Sequence, residues 1–241
     1  QNEHAVAGFE INSARSMNGT AVGVVTTEGH TGMDHKADDV VRINDYYYFL
    51  KAVNHYILAN SLENRMWLEG NAKGFEAYRE DLLAEDFDEL FEKAGSCCVD
   101  HLLGFAKDVA KLERVIIVFS EKELTSAAVR ELQNLAMITG RLGKTANGLL
   151  ALKEKNNSHG LHDLGIEPYL GIGGRPVDGH EDRLASAWGI DRLPTQVESM
   201  WEGLEQGHFS NLFIFGEDPI GCAINPEEVE GWINKAAFSV V

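Results

Sequence analysis

Cysteine, basic side chains and long apolar runs are all scarce in this chain, and each scarcity excludes something. Its three cysteines, Cys97, Cys98 and Cys222, are odd in number and two are adjacent. They supply neither a disulfide framework nor the short paired spacings of a zinc or iron–sulfur site, so reduced thiols packed as small hydrophobes are expected. No apolar run approaches the ~20 residues of a membrane helix, and no leader of secretory type opens the chain. A cytoplasmic protein without a transmembrane segment is the expectation. With 21 Lys and Arg against 38 Asp and Glu, the net charge is −17. Such a surface repels a phosphate backbone, so no nucleic acid partner is expected. The acids gather between Glu63 and Asp100 and again from Glu198 to Glu230, as a solvated face or as a docking face for a basic partner.

What is present reads as α/β. A chain of 241 residues that is 44% hydrophobic can bury a sizeable core. Helical periodicity over Val6–Met17 is followed by the apolar run AVGVV, and Asp39–Ile43 is a second short strand. Tyr46–Leu58 is a helix capped by Asn44 or Asp45. Several short acidic helices follow from Leu62 to Lys111, with Trp67, Phe75, Tyr78, Phe87 and Phe91 as core anchors and Ser96 as a cap for the last. The segment RVIIVFS, 114–120, has the continuous apolar character of a parallel core strand. Helices at Thr125–Thr139, Glu181–Trp188, Thr195–Gln206 and Pro226–Lys235 alternate with a strand at Asn211–Phe215, and the closing AFSVV is a core strand. This alternation predicts one α/β domain over 1–241, with a mostly parallel, Rossmann-like sheet flanked by helices on both faces.

From Gly140 to about residue 180 the chain runs as a long, glycine-punctuated loop carrying Asn and His, and loops of that length are usually functional. The preceding helix and this loop, read through Asn134, Leu135, Ala136, Thr139, Gly140, Gly143, Gly148, Leu152, Asn156, Asn157, Gly160, Asp163 and Gly165, resemble the molybdopterin oxidoreductase family. The resemblance is to formate dehydrogenase alpha chains and the large iron–sulfur subunit of NADH dehydrogenase. It extends to His4, Val6, Gly8, Ile11, Ala14 and Gly19 near the start, to Ala37 and Asp38, to Gly74, Phe75, Glu76, Tyr78 and Arg79, and to LFIFGEDP, 212–219. It implies a fragment of a longer redox subunit whose iron–sulfur cysteines and catalytic Cys lie in absent parts.

The resemblance also locates a site. Ligands of an open parallel sheet lie at the carboxyl ends of its strands, here 25–32, 119–124 and 215–220. By resemblance, molybdopterin guanine dinucleotide would contact Lys155, Asn156, Asn157, His159, Gly160, Gly216, Glu217, Asp218 and Pro219. Lys153 stands at the position of a substrate-binding arginine, where a lysine keeps the charge without the bidentate fork. Elsewhere the family pattern is replaced: Thr27, Glu28 and Gly29 stand for Asp-Pro-Arg, SEKEL for a glycine turn, and Asn44, Asp45 and Tyr46 for small polar residues. No catalytic residue is expected within the fragment. His30 with His35, and His159 with His162, lack the further ligands of a metal site. The leading expectation is a domain that supports electron transfer, in which the residues that hold the cofactor are missing or altered and other parent domains and redox subunits are the partners. The alternatives are a molybdenum- or tungsten-dependent formate dehydrogenase-like catalytic subunit and an acidic protein-interaction module.

Overall fold

The structure, a computed structural model, describes residues 4–95, 98–153, 157–164, 170–171, 173–177, 179–193 and 199–241. The chain forms two compact units, Gln1–Ser158 and His159–Val241, each described by itself.

The first unit opens with α1 (Ala5–Asn18), which ends where Gly19 turns left-handed at φ 66° and its N–H bonds back to the Arg15 carbonyl. Next come β1 (Gly23–Thr26), a single 3-10 turn (Asp34–Lys36) and β2 (Asp39–Arg42). Arg15 reaches from α1 to Asp38 at 2.8 Å, and Asp38 also accepts the Val22 N–H at 2.8 Å, which fixes the entries to both strands. The pair β1–β2 is parallel, with Gly23 opposite Asp39.

The unit is centred on α2 (Tyr46–Ala59). Its N-cap is Asp45, whose carboxylate accepts the N–H groups of Tyr47 and Tyr48 at 2.7 and 3.1 Å. Phe49, Ala52, Val53 and Ile57 recur at helical spacing and are fully buried. Around them pack α4 (Phe75–Leu83), α5 (Phe87–Ala94), α6 (Val99–Lys111) and α7 (Ser126–Ile138), which contribute Leu82, Leu90, Leu102 and Leu135. Each of these leucines stabilises the fold by roughly 1.5–3 kcal/mol relative to exposure. The short α3 (Arg65–Asn71) leans on α7, with Arg65 bridging Glu63 and Glu76 at 2.9 and 2.6 Å. Phe75, Tyr78, Phe87 and Phe91 line the core as their spacing predicts.

One buried polar group was not foreseen. Asn54 on α2 donates to Tyr78 Oη, Glu131 Oε2 and the Glu131 carbonyl, each at 3.0 Å, and Tyr78 donates to Glu131 Oε2 at 2.8 Å. Burial and the neighbouring Glu131 charge push the Tyr78 phenol far above its ordinary range. The network ties α2, α4 and α7 in one orientation, because breaking it would strand buried polar atoms.

β3 (Ile116–Ser120) pairs in parallel with β4 (Gly148–Leu152), Ile116 opposite Gly148. The strand β4 corrects the expected uninterrupted loop from 140 to 180. Its approach is a structural anchor. Arg141, buried, donates to the Val109 carbonyl at the end of α6, to Glu113 O and to Asn147 Oδ1, and Asn147 Oδ1 accepts the Val115 N–H at 3.0 Å. These bonds satisfy the Val109 carbonyl in the last turn of α6 and the Glu113 carbonyl beyond it, and tie the approach to β4 to that of β3.

The second unit holds most of α8 (Ser158–Asp163), the two-residue antiparallel ladder of β5 (Leu170–Gly171) and β6 (Arg175–Pro176), then α9 (Glu181–Trp188) and α10 (Met200–Gln206). It closes with β7 (Asn211–Phe213), α11 (Pro226–Ile233, with Pro at its first turn) and β8 (Phe238–Val240). β7 and β8 pair in parallel, and α10 packs on α11 with Trp201 and Trp232 6.5 Å apart.

The architecture is therefore mixed α/β, but the single Rossmann-like sheet is not seen among the described residues. Three of the four ladders are parallel, yet each holds only two strands. The physical reason is that the strands are short and the helices form their own core around α2. Nor are both faces covered: Ile117, Phe119 and Leu149 point into the helix layer, whereas Ile116 and Leu150 remain 57% and 49% exposed. The closing strand likewise forms, but Phe238 is exposed rather than in a core. Cys98 is half-buried and Cys222 exposed, against the expectation of buried thiols. Ser96 and Cys97, and the start of the helix expected from Thr195, lie outside the described residues.

Candidate functional site

Within the first unit the carboxyl ends of the parallel strands converge on a cleft of about 180 Å³ lined by Thr27, Asn44, Asp45, Tyr46, Glu123 and Thr125. It joins the turn after β1, the turn between β2 and α2, and the turn between β3 and α7. The first turn is organised by Asp34, which accepts from Thr31 Oγ1 at 2.6 Å and Arg42 at 2.7 Å, with His30 Nδ1 3.4 Å away. The Thr31 hydroxyl chiefly, then the Thr31 backbone N–H, His30 and the Arg42 charge, hold the Asp34 carboxyl below its usual range. Arg42 also donates to the Gly29 carbonyl at 2.9 Å, so the arginine is engaged by the turn itself.

The second turn is seated on the end of α5, where the Asn44 and Asp45 N–H groups both donate to the Ala94 carbonyl. Gly95 stands at φ 65°, with a side-chain Cβ there falling 2.2 Å from Asn44 Nδ2, so close approach and backbone angle both require glycine. The third turn closes through Glu123 N–H to Ser120 O at 3.2 Å, and Thr125 caps α7 by accepting the Ala128 N–H at 3.2 Å.

Beside this cleft a wider groove of about 390 Å³ runs along α7, lined by Glu121, Leu124, Ser126, Arg130 and Gln133. At its strand-end rim Lys153, just past β4, pairs with Glu121, just past β3, at 2.6 Å.

The charges lining this cleft oppose a phosphate group rather than attract one. A helix N-terminus attracts phosphate through free N–H groups and a positive end. At α2 the Asp45 carboxylate already takes two of those N–H groups and brings its own negative charge, and Glu123 adds another. Tyr46 lines the same space, and the cation of Lys153 is answered by Glu121.

Among the residues expected from sequence, Lys153 is placed at the strand ends and Asn157 in a left-handed turn (φ 60°) shortly after it. Lys155 and Asn156 lie outside the described residues. His159 and Gly160 fall in α8, in the second unit. There Gly216 turns at φ 68°, and Asp218 caps the next turn by accepting the Gly221 N–H at 2.7 Å, with Glu217 exposed and Pro219 half-buried. The Glu121–Lys153 pair and the Asp34 hub were not foreseen. The first could have been sought once GLLAL, 148–152, was read as a strand beside RVIIVFS, because parallel neighbours bring their following residues together. No group of three metal-ligating side chains is found among the described residues.

No family model matches the chain. It is similar to proteins described as "putative formate dehydrogenase": 27% identical over 202 residues to that of Staphylococcus haemolyticus JCSC1435, 27% over 203 to that of Staphylococcus aureus MRSA252, and 26% over 203 to that of S. aureus USA300. Each match covers 80% of this chain and 20% of the relative, so the chain spans about a fifth of the length of the curated relatives it matches. A fragment of an oxidoreductase-like protein is consistent with that coverage. No helix among the described residues is long and apolar enough to cross a membrane.

Proposed function

We propose that this chain is part of a formate dehydrogenase-like redox subunit in which it serves as a scaffold for electron transfer, its pterin-dinucleotide contacts replaced. The observation that carries the reading is the Asp45 carboxylate seated on the N-terminus of α2, at the strand ends where a pyrophosphate would have to lie. The similarity to formate dehydrogenases supports the redox class, and the resemblance to the NADH dehydrogenase large subunit supports electron transfer without molybdenum. Iron–sulfur clusters belong, on this reading, to other parts of the parent chain. Asn157 and the segment 216–219 then act as structural turns, and His159 and Gly160 as part of helix α8.

The second reading is a catalytic molybdenum or tungsten subunit. Lys153 favours it, since a cation is retained at the strand ends beside an open groove.

Guanosine diphosphate, which presents the pyrophosphate and guanine of the dinucleotide, separates the two when titrated into the chain and followed at the Asp45, Tyr46 and Glu123 amides by NMR. Shifts that do not saturate at millimolar ligand are expected; saturable shifts at those amides would contradict the scaffold reading.

A further inference from the structure

In the second unit, three phenylalanines that should be inside are outside. Phe213 on β7, Phe238 on β8 and Phe215 just beyond β7 are 58%, 54% and 79% exposed. They touch one another: the Phe213 and Phe215 rings stack at 15° with centroids 6.5 Å apart, and Phe238 meets Phe213 edge-on at 6.2 Å. Leu212 and Ile214, on either side of Phe213 in the sequence, are half-buried, so the segment alternates as a two-sided strand does, with its aromatic side uncovered. A parallel ladder is stable with both faces covered, and its usual cover is a helix. At ~150–250 Å² per aromatic side chain, the uncovered area is roughly 400 Å², the size of the largest and often functional patch on a typical monomer.

The charge of this unit selects the occupant. From His159 to Val241 there are fourteen acidic residues against four basic ones, and the sequence running out of the patch is Gly216, Glu217, Asp218. We propose that the Phe213–Phe215–Phe238 face is the seat of a basic amphipathic helix, supplied by a part of the parent polypeptide outside these 241 residues. A second copy of the chain fits poorly, because each copy carries a net charge of −17 and the patch is half of the ~800 Å² per partner of a stable interface. A tethered helix needs less area, since linkage raises its effective concentration to the millimolar range. The curated relatives, of which this chain spans a fifth, are long enough to supply one. The proposal holds whether or not the parent binds molybdenum.

The test is a photo-cross-link in the full-length parent purified from its native host. p-Benzoylphenylalanine replaces Phe215, with a control at Trp188, which is also exposed and lies on α9. An intrachain cross-link from position 215 into a Lys- and Arg-rich segment outside the 241 residues, severalfold above the control, is expected. A cross-link to a second copy, to another polypeptide or within the 241 residues, a yield equal to the control, or a gene product with no further segment overturns the proposal.

Discussion

Asp34 and Asp45 show how single carboxylates decide what the strand ends can do. Asp34 holds the turn after β1 through Thr31, His30 and Arg42, and its pKa is lowered chiefly by the Thr31 hydroxyl. A carboxyl depressed in the folded state contributes stability that is present above its unfolded pKa of about 3.9 and is lost as pH falls through the lower folded value. The ordering of this turn should therefore survive ordinary acidification and fail only below that range. Carboxyl-detected NMR of Thr31→Val should show the Asp34 midpoint raised toward the usual aspartate value; an unmoved midpoint would assign the shift to other groups. Asp45 instead acts through backbone N–H groups. Asp45→Ala should cost about 1 kcal/mol in urea unfolding, with Asp45→Asn recovering most of it, and equal stability of all three would remove the cap from the account.

Elements were legible where periodicity was long. The helices α1, α2, α7 and α9 lie within a residue or two of their expected bounds, because each combines an apolar stripe with a cap or glycine stop that neighbours need not supply. The strands were legible as strands but not as a sheet: RVIIVFS is apolar throughout, yet a residue cannot reveal whether a helix covers it, and Ile116 is exposed. The strand β4 was missed because Asn147 and Gly148 read as loop punctuation, whereas Asn147 is the residue that ties β4 to β3 through the Val115 N–H. The Asn54–Tyr78–Glu131 network was invisible because its members are 24 and 53 residues apart and only the helix packing unites them. At this scale the seat of the β2–α2 turn on α5 is the sensitive joint. Gly95→Ala combines a left-handed backbone with an overlap on Asn44, so a loss of at least ~1–2 kcal/mol is expected. Unfolding at the wild-type urea midpoint would show that Asn44 yields without cost.

For the whole molecule, the strand ends were legible in place, but the side chains that line the cleft were not those expected to hold a cofactor. Sequence located the strand ends and noted Glu28, Asp45 and Tyr46 against the family pattern; the structure adds that Asp45 is seated on helix N–H groups and that Lys153 is neutralised. The surface charge, −17 overall, suits contacts with basic partner segments and opposes phosphate-rich ligands. By itself the chain should not oxidise formate with an artificial electron acceptor, and turnover above a buffer blank would contradict the scaffold role. That role is tested most directly by elemental mass spectrometry for iron, molybdenum and tungsten on the full-length parent, purified anaerobically from its native host. Iron without stoichiometric molybdenum or tungsten is the expected result; stoichiometric molybdenum or tungsten would contradict it.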